Sequence, residues 1–117
     1  MLLLPGNLGA CQIKWAVARC RFFLAARTHS TIAAVSTGVP TVALAYSQKA
    51  RGLWRAIFGD EELVAPVAEL SQAQLLDKLA RLERREEHWR SLLRDKRAEM
   101  VAGARRNVDA LRERGWI

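Results

Sequence analysis

Acidic side chains are absent from residues 1–59 of this 117-residue chain. Seven basic ones stand there (Lys14, Arg19, Arg21, Arg27, Lys49, Arg51 and Arg55), whereas residues 60–117 hold twelve of each sign, so the whole net charge of +7 lies in the first half. That asymmetry argues against a polyanion footprint running the length of the chain and points to a small anionic ligand focused into a cleft. Seven positive charges would also serve phosphates of nucleic acid. Long apolar runs are missing too: none approaches the roughly 18 residues that cross a bilayer. The opening Met1-Leu2-Leu3-Leu4 has neither a basic leader nor an apolar stretch of secretory length, so the default expectation is a soluble, cytoplasmic protein. There are only two cysteines, Cys11 and Cys20. Nine positions apart on one expected helix, they are separated by about 13 Å of rise, too far for a disulfide, which needs its Cα atoms within about 7 Å. With no histidine nearby they make no zinc pattern, and half-buried, reduced side chains are expected.

What is present is the composition of a folded domain, 50% hydrophobic and 26% charged. Leu2-Leu3-Leu4, closed by Pro5-Gly6, reads as the end of a strand. Asn7 then caps a helix over about residues 8–19 that buries Leu8, Cys11, Ile13, Trp15, Ala16 and Val17. Phe22 to Ala26 is apolar throughout, as in a strand covered on both faces. Ser30 caps a short helix reaching about Thr37, Gly38 ends it, and Val39 to Ala45 is the next strand. A helix from Ala50 to Phe58 packs through Leu53, Trp54, Ile57 and Phe58 and stops at Gly59. Leu63-Val64-Ala65 forms a last short strand before Pro66.

From Ser71 the pattern becomes helical. Leu75, Leu76, Leu79 and Leu82 share one face, as do Trp89, Leu92, Leu93, Met100, Val101, Ala104, Val108 and Leu111 on a second, longer helix. Asp77/Arg81 and Glu86/Arg90 are spaced to pair at i,i+4 on the solvated side. A coiled-coil partner surface is the alternative use of these helices. Strands separated by helices give an α/β fold: a partial doubly wound, Rossmann-like parallel sheet of about three to four strands, followed by two carboxy-terminal helices. Residues 1–66 form the α/β part, and residues 67–117 form a helical segment packing on it.

In such a sheet ligands sit beyond the carboxyl ends of the strands. Arg27 and His29 follow one strand and Lys49 follows the next, so their loops open on one edge. Arginine holds a carboxylate or phosphate in bidentate fashion, and lysine adds a point charge. The start of the helix behind His29 offers free N–H groups, with the Ser30 and Thr31 hydroxyls beside them. His29 is suited to exchange a proton when an anionic substrate is bound. The bland readings are that His29 is a structural residue, that Arg27 pairs with Asp60 or Glu61, and that Lys49 is merely solvated. His88, on a charged helical surface, has no such company.

The run Arg27-Thr28-His29-Ser30-Thr31-Ile32-Ala33-Ala34, followed by Gly38-Val39-Pro40 and Tyr46-Ser47-Gln48-Lys49-Ala50, resembles the signature of the polysaccharide pyruvyl transferase family. The upstream segment Ile13 to Phe23 fits what leads into it. The resemblance implies a two-domain fold similar to GT-B glycosyltransferases. It also implies transfer of the enolpyruvyl unit of phosphoenolpyruvate onto sugar hydroxyls of a surface polysaccharide. His29 becomes the catalytic proton donor or phosphate ligand, with Arg27, Ser30, Thr31, Tyr46 and Lys49 binding substrate. No cofactor beyond the donor substrate and no metal is implied. Ala26 stands where many relatives have glycine.

The resemblance further implies an acceptor-side domain ahead of this one, so the chain is expected to be truncated and inactive alone. An incomplete sheet also leaves an edge open to a second copy. Two other readings stand beside it. One is a non-catalytic basic module that binds a protein partner or nucleic acid through Lys14, Arg19, Arg21 and Arg55, although aromatic interleaving suited to single strands is lacking. The other is the donor half of a nucleotide-sugar glycosyltransferase, which shares the fold.

Overall fold

Three parallel strands, each handed to the next by a helix, set the frame. A computed structural model of the chain describes residues 3–117. Helix α1 (Ala10–Val17) leads to strand β1 (Phe23–Ala25), helix α2 (Thr28–Ser36), strand β2 (Thr41–Ala45), helix α3 (Gln48–Phe58) and strand β3 (Val64–Pro66). A 3-10 turn at Val67–Glu69 precedes α4 (Gln72–Arg84) and α5 (Glu86–Glu113). The strand order is β1-β2-β3, all parallel, with Ala25 opposite Ala43 and Ala43 opposite Val64. This is the partial Rossmann-like α/β arrangement with carboxy-terminal helices that the sequence predicts.

Local chemistry explains most boundaries. Gly38 and Gly59 end α2 and α3 in the left-handed region, at φ 83° and 85°, where a side chain would be strained. Ser71 and Gln74 close a reciprocal cap at the start of α4: the Ser71 Oγ accepts from the Gln74 N–H and the Gln74 Oε1 from the Ser71 N–H, both at 3.2 Å. The Asp77/Arg81 and Glu86/Arg90 pairs form as spaced, at 2.7 and 2.9 Å.

Five local expectations are corrected. The strand at Leu2-Leu3-Leu4 does not form at Leu3 and Leu4, which are exposed (Leu2 lies outside the described residues). Pro5 has no N–H for a ladder, and the run lies beside no other strand. Helix α1 is capped at Gly9, not Asn7, because the Gly9 N–H is met by Gln12 Oε1 at 2.8 Å. Its burial is slight: Val17 is inside, but Ile13, Trp15 and both cysteines are exposed, since α1 lies on α2 and not across the sheet. Strand β1 is shorter than expected and not covered on both faces; it is an edge strand, and Leu24 stays 37% exposed. Helix α2 has its N-cap at Arg27 and not at Ser30, whose hydroxyl donates back to the Arg27 carbonyl at 2.7 Å instead of capping.

The core joins sheet and tail. Phe58 of α3 lies between Trp54 of the same helix and Trp89 of α5, with ring centroids 5.7 Å apart in each pair and the Phe58–Trp89 pair edge-to-face. Val42, Leu63, Leu82 and Leu93 complete this cluster. Full burial of each such large side chain contributes about 1.5–3 kcal/mol. A smaller cluster, Val17, Ala34 and Val39 with Phe23, fixes the other side of β1. A further correction concerns α5. Trp89 and Leu93 are buried, but Met100, Val101, Ala104 and Val108, predicted on the same packing face, are exposed because the helix runs past the body that its first turns cover.

Candidate functional site

The two strand-to-helix joints on the carboxyl edge of the sheet repeat one geometry. Strand β1 ends at Ala25, and Arg27 takes the N-cap of α2 in extended conformation. Strand β2 ends at Ala45, and Ser47 takes the N-cap of α3 in the same way. His29 and Lys49 therefore occupy the same position, second in their helices. Strands β1 and β2 are adjacent and parallel, so both helices start beyond the same edge of the sheet with their first N–H groups unpaired.

Neither N-cap side chain closes on its helix. Arg27, His29, Tyr46, Ser47 and Lys49 are all exposed, Tyr46 at 66%. The two hydroxyls after His29 are engaged locally: Ser30 donates to the Arg27 carbonyl, and Thr31, only 2% exposed, donates to the Thr28 carbonyl at 2.7 Å. An oxygen that donates in this way retains lone pairs, but Thr31 faces the interior. Ser47 was not singled out in the sequence. The signal was there, since a serine directly before a helical run is a cap candidate whose hydroxyl is available when it makes no cap bond.

Charge pairing sharpens the site. Acids from the second half reach back to the basic first half. Arg21 Nε donates to Glu86 Oε2 at 2.8 Å, with Glu83 at 3.5 Å, and Glu61 pairs with Arg51 at 2.6 Å and with Arg55. These guanidinium groups, Arg51 first, hold the Glu61 carboxyl below its ordinary range, and Arg90 and then Arg21 do the same to Glu86. Asp60 accepts from the Glu62 N–H at 2.7 Å. The partners considered for Arg27 are thus committed elsewhere. Among the described residues, Arg27 and Lys49 form no ion pair, nor do Lys14 on α1 and Arg19 just after it; Arg19 instead stacks over Trp15, 3.3 Å from the ring centroid. Three of the seven early cations are neutralised, and the two on the sheet edge are not.

Two helix starts flanked by unpaired cations stand on the carboxyl edge of a partial Rossmann-like α/β sheet. Residues 3–48 match the polysaccharide pyruvyl transferase family. The match falls on the family that the Arg27 to Ala50 signature resembles; it includes Arg27, His29 and the Gly38-Val39-Pro40 turn and stops one residue before Lys49. No curated protein and no solved structure matches the chain. Among the described residues no three His, Cys, Asp or Glu side chains gather as metal ligands, and no helix is long and apolar enough to cross a membrane.

Proposed function

We propose that the Arg27-His29-Lys49 edge binds phosphoenolpyruvate and that the chain serves a polysaccharide pyruvyl transferase reaction, with a sugar of a surface glycan as acceptor. The observation that carries this reading is that Arg27 and Lys49 stay unpaired beside two adjacent helix starts, next to and within the segment that matches the family. The donor carries two anionic groups, a carboxylate and a phosphate, and the edge offers two cationic joints. Arg27 suits the planar carboxylate by its fork geometry, and Lys49 with the α3 start suits the phosphate. Tyr46 and Ser47 flank the second joint.

The chemistry follows from the donor. His29, as imidazolium, delivers its proton to the methylene carbon, which becomes a methyl group, and the adjacent carbon becomes oxocarbenium-like. One sugar hydroxyl adds there. A second hydroxyl of the same sugar then displaces phosphate, which leaves with the C–O bond electrons, and the two hydroxyl protons pass to His29 and to phosphate. The product is a cyclic pyruvate ketal. Cations at the departing phosphate stabilise the charge that develops on it.

Titration calorimetry with phosphoenolpyruvate on the full chain tests the reading. Arg27→Ala and Lys49→Ala are expected to weaken binding by about tenfold each, in line with the loss of one charge-assisted contact. Identical heats for these variants and the parent would refute the site.

A further inference from the structure

Helix α5 is about 42 Å long at 1.5 Å per residue, and the body covers only its first half. Beyond Lys96 every residue is exposed except Gly103 and Leu111, which are half-buried. Yet the uncovered half remains sorted. Met100, Ala104, Val108 and Leu111, with Val101, continue the face that carries Leu93 into the core; Met100 is 58% exposed, Val101 46% and Val108 39%. Arg94, Arg105 and Arg112, spaced 11 and 7 residues apart, line one border of that face. Lys96 lines the other, and Arg97 lies at the face's near end. The acids Asp95, Glu99 and Glu113 sit on the far side with Arg106, while Asp109 lies next to the arginine border and pairs with Arg112 at 3.6 Å, and Glu99 pairs with Lys96 at 2.7 Å.

The same face runs into an apolar groove of about 400 Å³ whose walls include Ile32, Leu53, Ile57 and Met100 and whose rim carries Lys14 and Arg97. Ile32 is itself 40% exposed. Trp116 and Ile117, each 68% exposed, follow the end of α5, with the Arg114 guanidinium over the Trp116 ring.

We infer that the outer half of α5 and the apolar groove beside it form a docking surface for an anionic lipid bilayer, the helix lying in the plane of the interface. Cations outnumber acids along the border of the apolar face, where Asp109 alone interrupts them, and three of the four acids of this half are turned away; that matches a surface that is apolar below and negative at its boundary. Long arginine and lysine stems bury beside the apolar face while their charges reach the headgroups. An exposed tryptophan at the end of the stripe suits the interface region. A second copy of the chain fits less well. An antiparallel isologous pair sets the Arg94, Arg105 and Arg112 border against its own counterpart, and a parallel one sets it against the border that carries Lys96, so cations face cations in both.

Vesicle co-sedimentation of the full chain tests this without reference to donor binding. Phosphatidylcholine vesicles containing a third phosphatidylglycerol are expected to retain the protein in low salt, and pure phosphatidylcholine is not. Arg105→Gln with Arg112→Gln is expected to lower partitioning by about an order of magnitude, and Val108→Glu to lower it comparably. Both substitutions fall on exposed positions, and circular dichroism checks that each variant remains folded. Equal retention on neutral and anionic vesicles, or loss of the exposed face to concentration-dependent dimers in sedimentation equilibrium, would overturn the proposal. So would retention unchanged by Val108→Glu.

Discussion

Arg90, on α5, donates from Nη2 to the main-chain carbonyl of Arg21 at 2.9 Å, across 69 positions of sequence. The same guanidinium donates to Glu86 at 2.9 Å and to the Gly38 carbonyl at 3.4 Å. One side chain of the tail thus holds both the approach to β1 and the turn between α2 and β2. The edge that presents Arg27 is fastened from behind by a residue far outside the segment that matches the family.

Replacing Arg90 by Met, which keeps much of the stem, is expected to destabilise the chain by about 1–3 kcal/mol, because two backbone carbonyls lose a charged donor. Urea titration followed by circular dichroism measures it. Lys96→Met, which removes only an exposed pair with Glu99, is the control and is expected to change stability little.

Acid sensitivity follows from Glu61 and Glu86. Both carboxyls are held below their ordinary range in the folded chain, Glu61 chiefly by Arg51 and Glu86 chiefly by Arg90. A depressed folded pKa means that the stabilisation is complete above the unfolded glutamate value and is lost as pH falls through the folded one. Thermal midpoints are therefore expected to hold down to about pH 5 and to fall below about pH 4. Glu86→Gln should lower the neutral-pH midpoint and flatten that acid limb. An acid limb identical to that of the parent would refute the assignment.

The indole N–H groups of Trp54 and Trp89 are buried without a hydrogen-bond partner. A buried donor left unmet costs free energy, so removing it offsets part of the loss of a smaller ring. Trp89→Phe is expected to cost under about 1.5 kcal/mol, whereas Trp89→Ala should cost about 3–5 kcal/mol. Chemical denaturation of the two variants side by side distinguishes them, and a Phe variant as unstable as the Ala variant would contradict the account.

Two glycines should respond in opposite directions. Gly38 sits at φ 83° with nothing near an added Cβ, so Gly38→Ala is penalised by backbone strain alone, about 1–2 kcal/mol. Gly52 lies inside α3 with open space around it and no left-handed φ. Gly52→Ala is expected to stabilise by about 0.5–1 kcal/mol. Differential scanning calorimetry reads both signs.

How much of this the residues disclose depends on range. Alternation of strand and helix, the stops at Gly38 and Gly59, the onset of helix after Ser71 and the i,i+4 pairs rest on neighbours a few positions apart, and all are legible in the sequence. That Arg27, His29 and Lys49 follow the carboxyl ends of two adjacent strands is likewise a consequence of parallel order. What periodicity cannot reveal is whether an apolar face meets a partner: Leu93 and Met100 share a helix face, but only Leu93 is covered. Nor does local charge disclose that Glu86 and Glu61 would reach back to neutralise Arg21, Arg51 and Arg55. That pairing left the edge cations as the uncompensated ones.

The bond from Arg90 to Arg21 also orders events in time. A growing chain has made β1, the Arg27-His29 joint and α2 long before residue 90 is added. Until α5 arrives, the approach to β1 lacks both its guanidinium clasp and the Glu86 pair with Arg21. Distant contacts of this kind close late, after the entropy of a long loop has been overcome. The fastening of β1 from behind is therefore among the last contacts to close, although the joints it supports precede α5 in the chain.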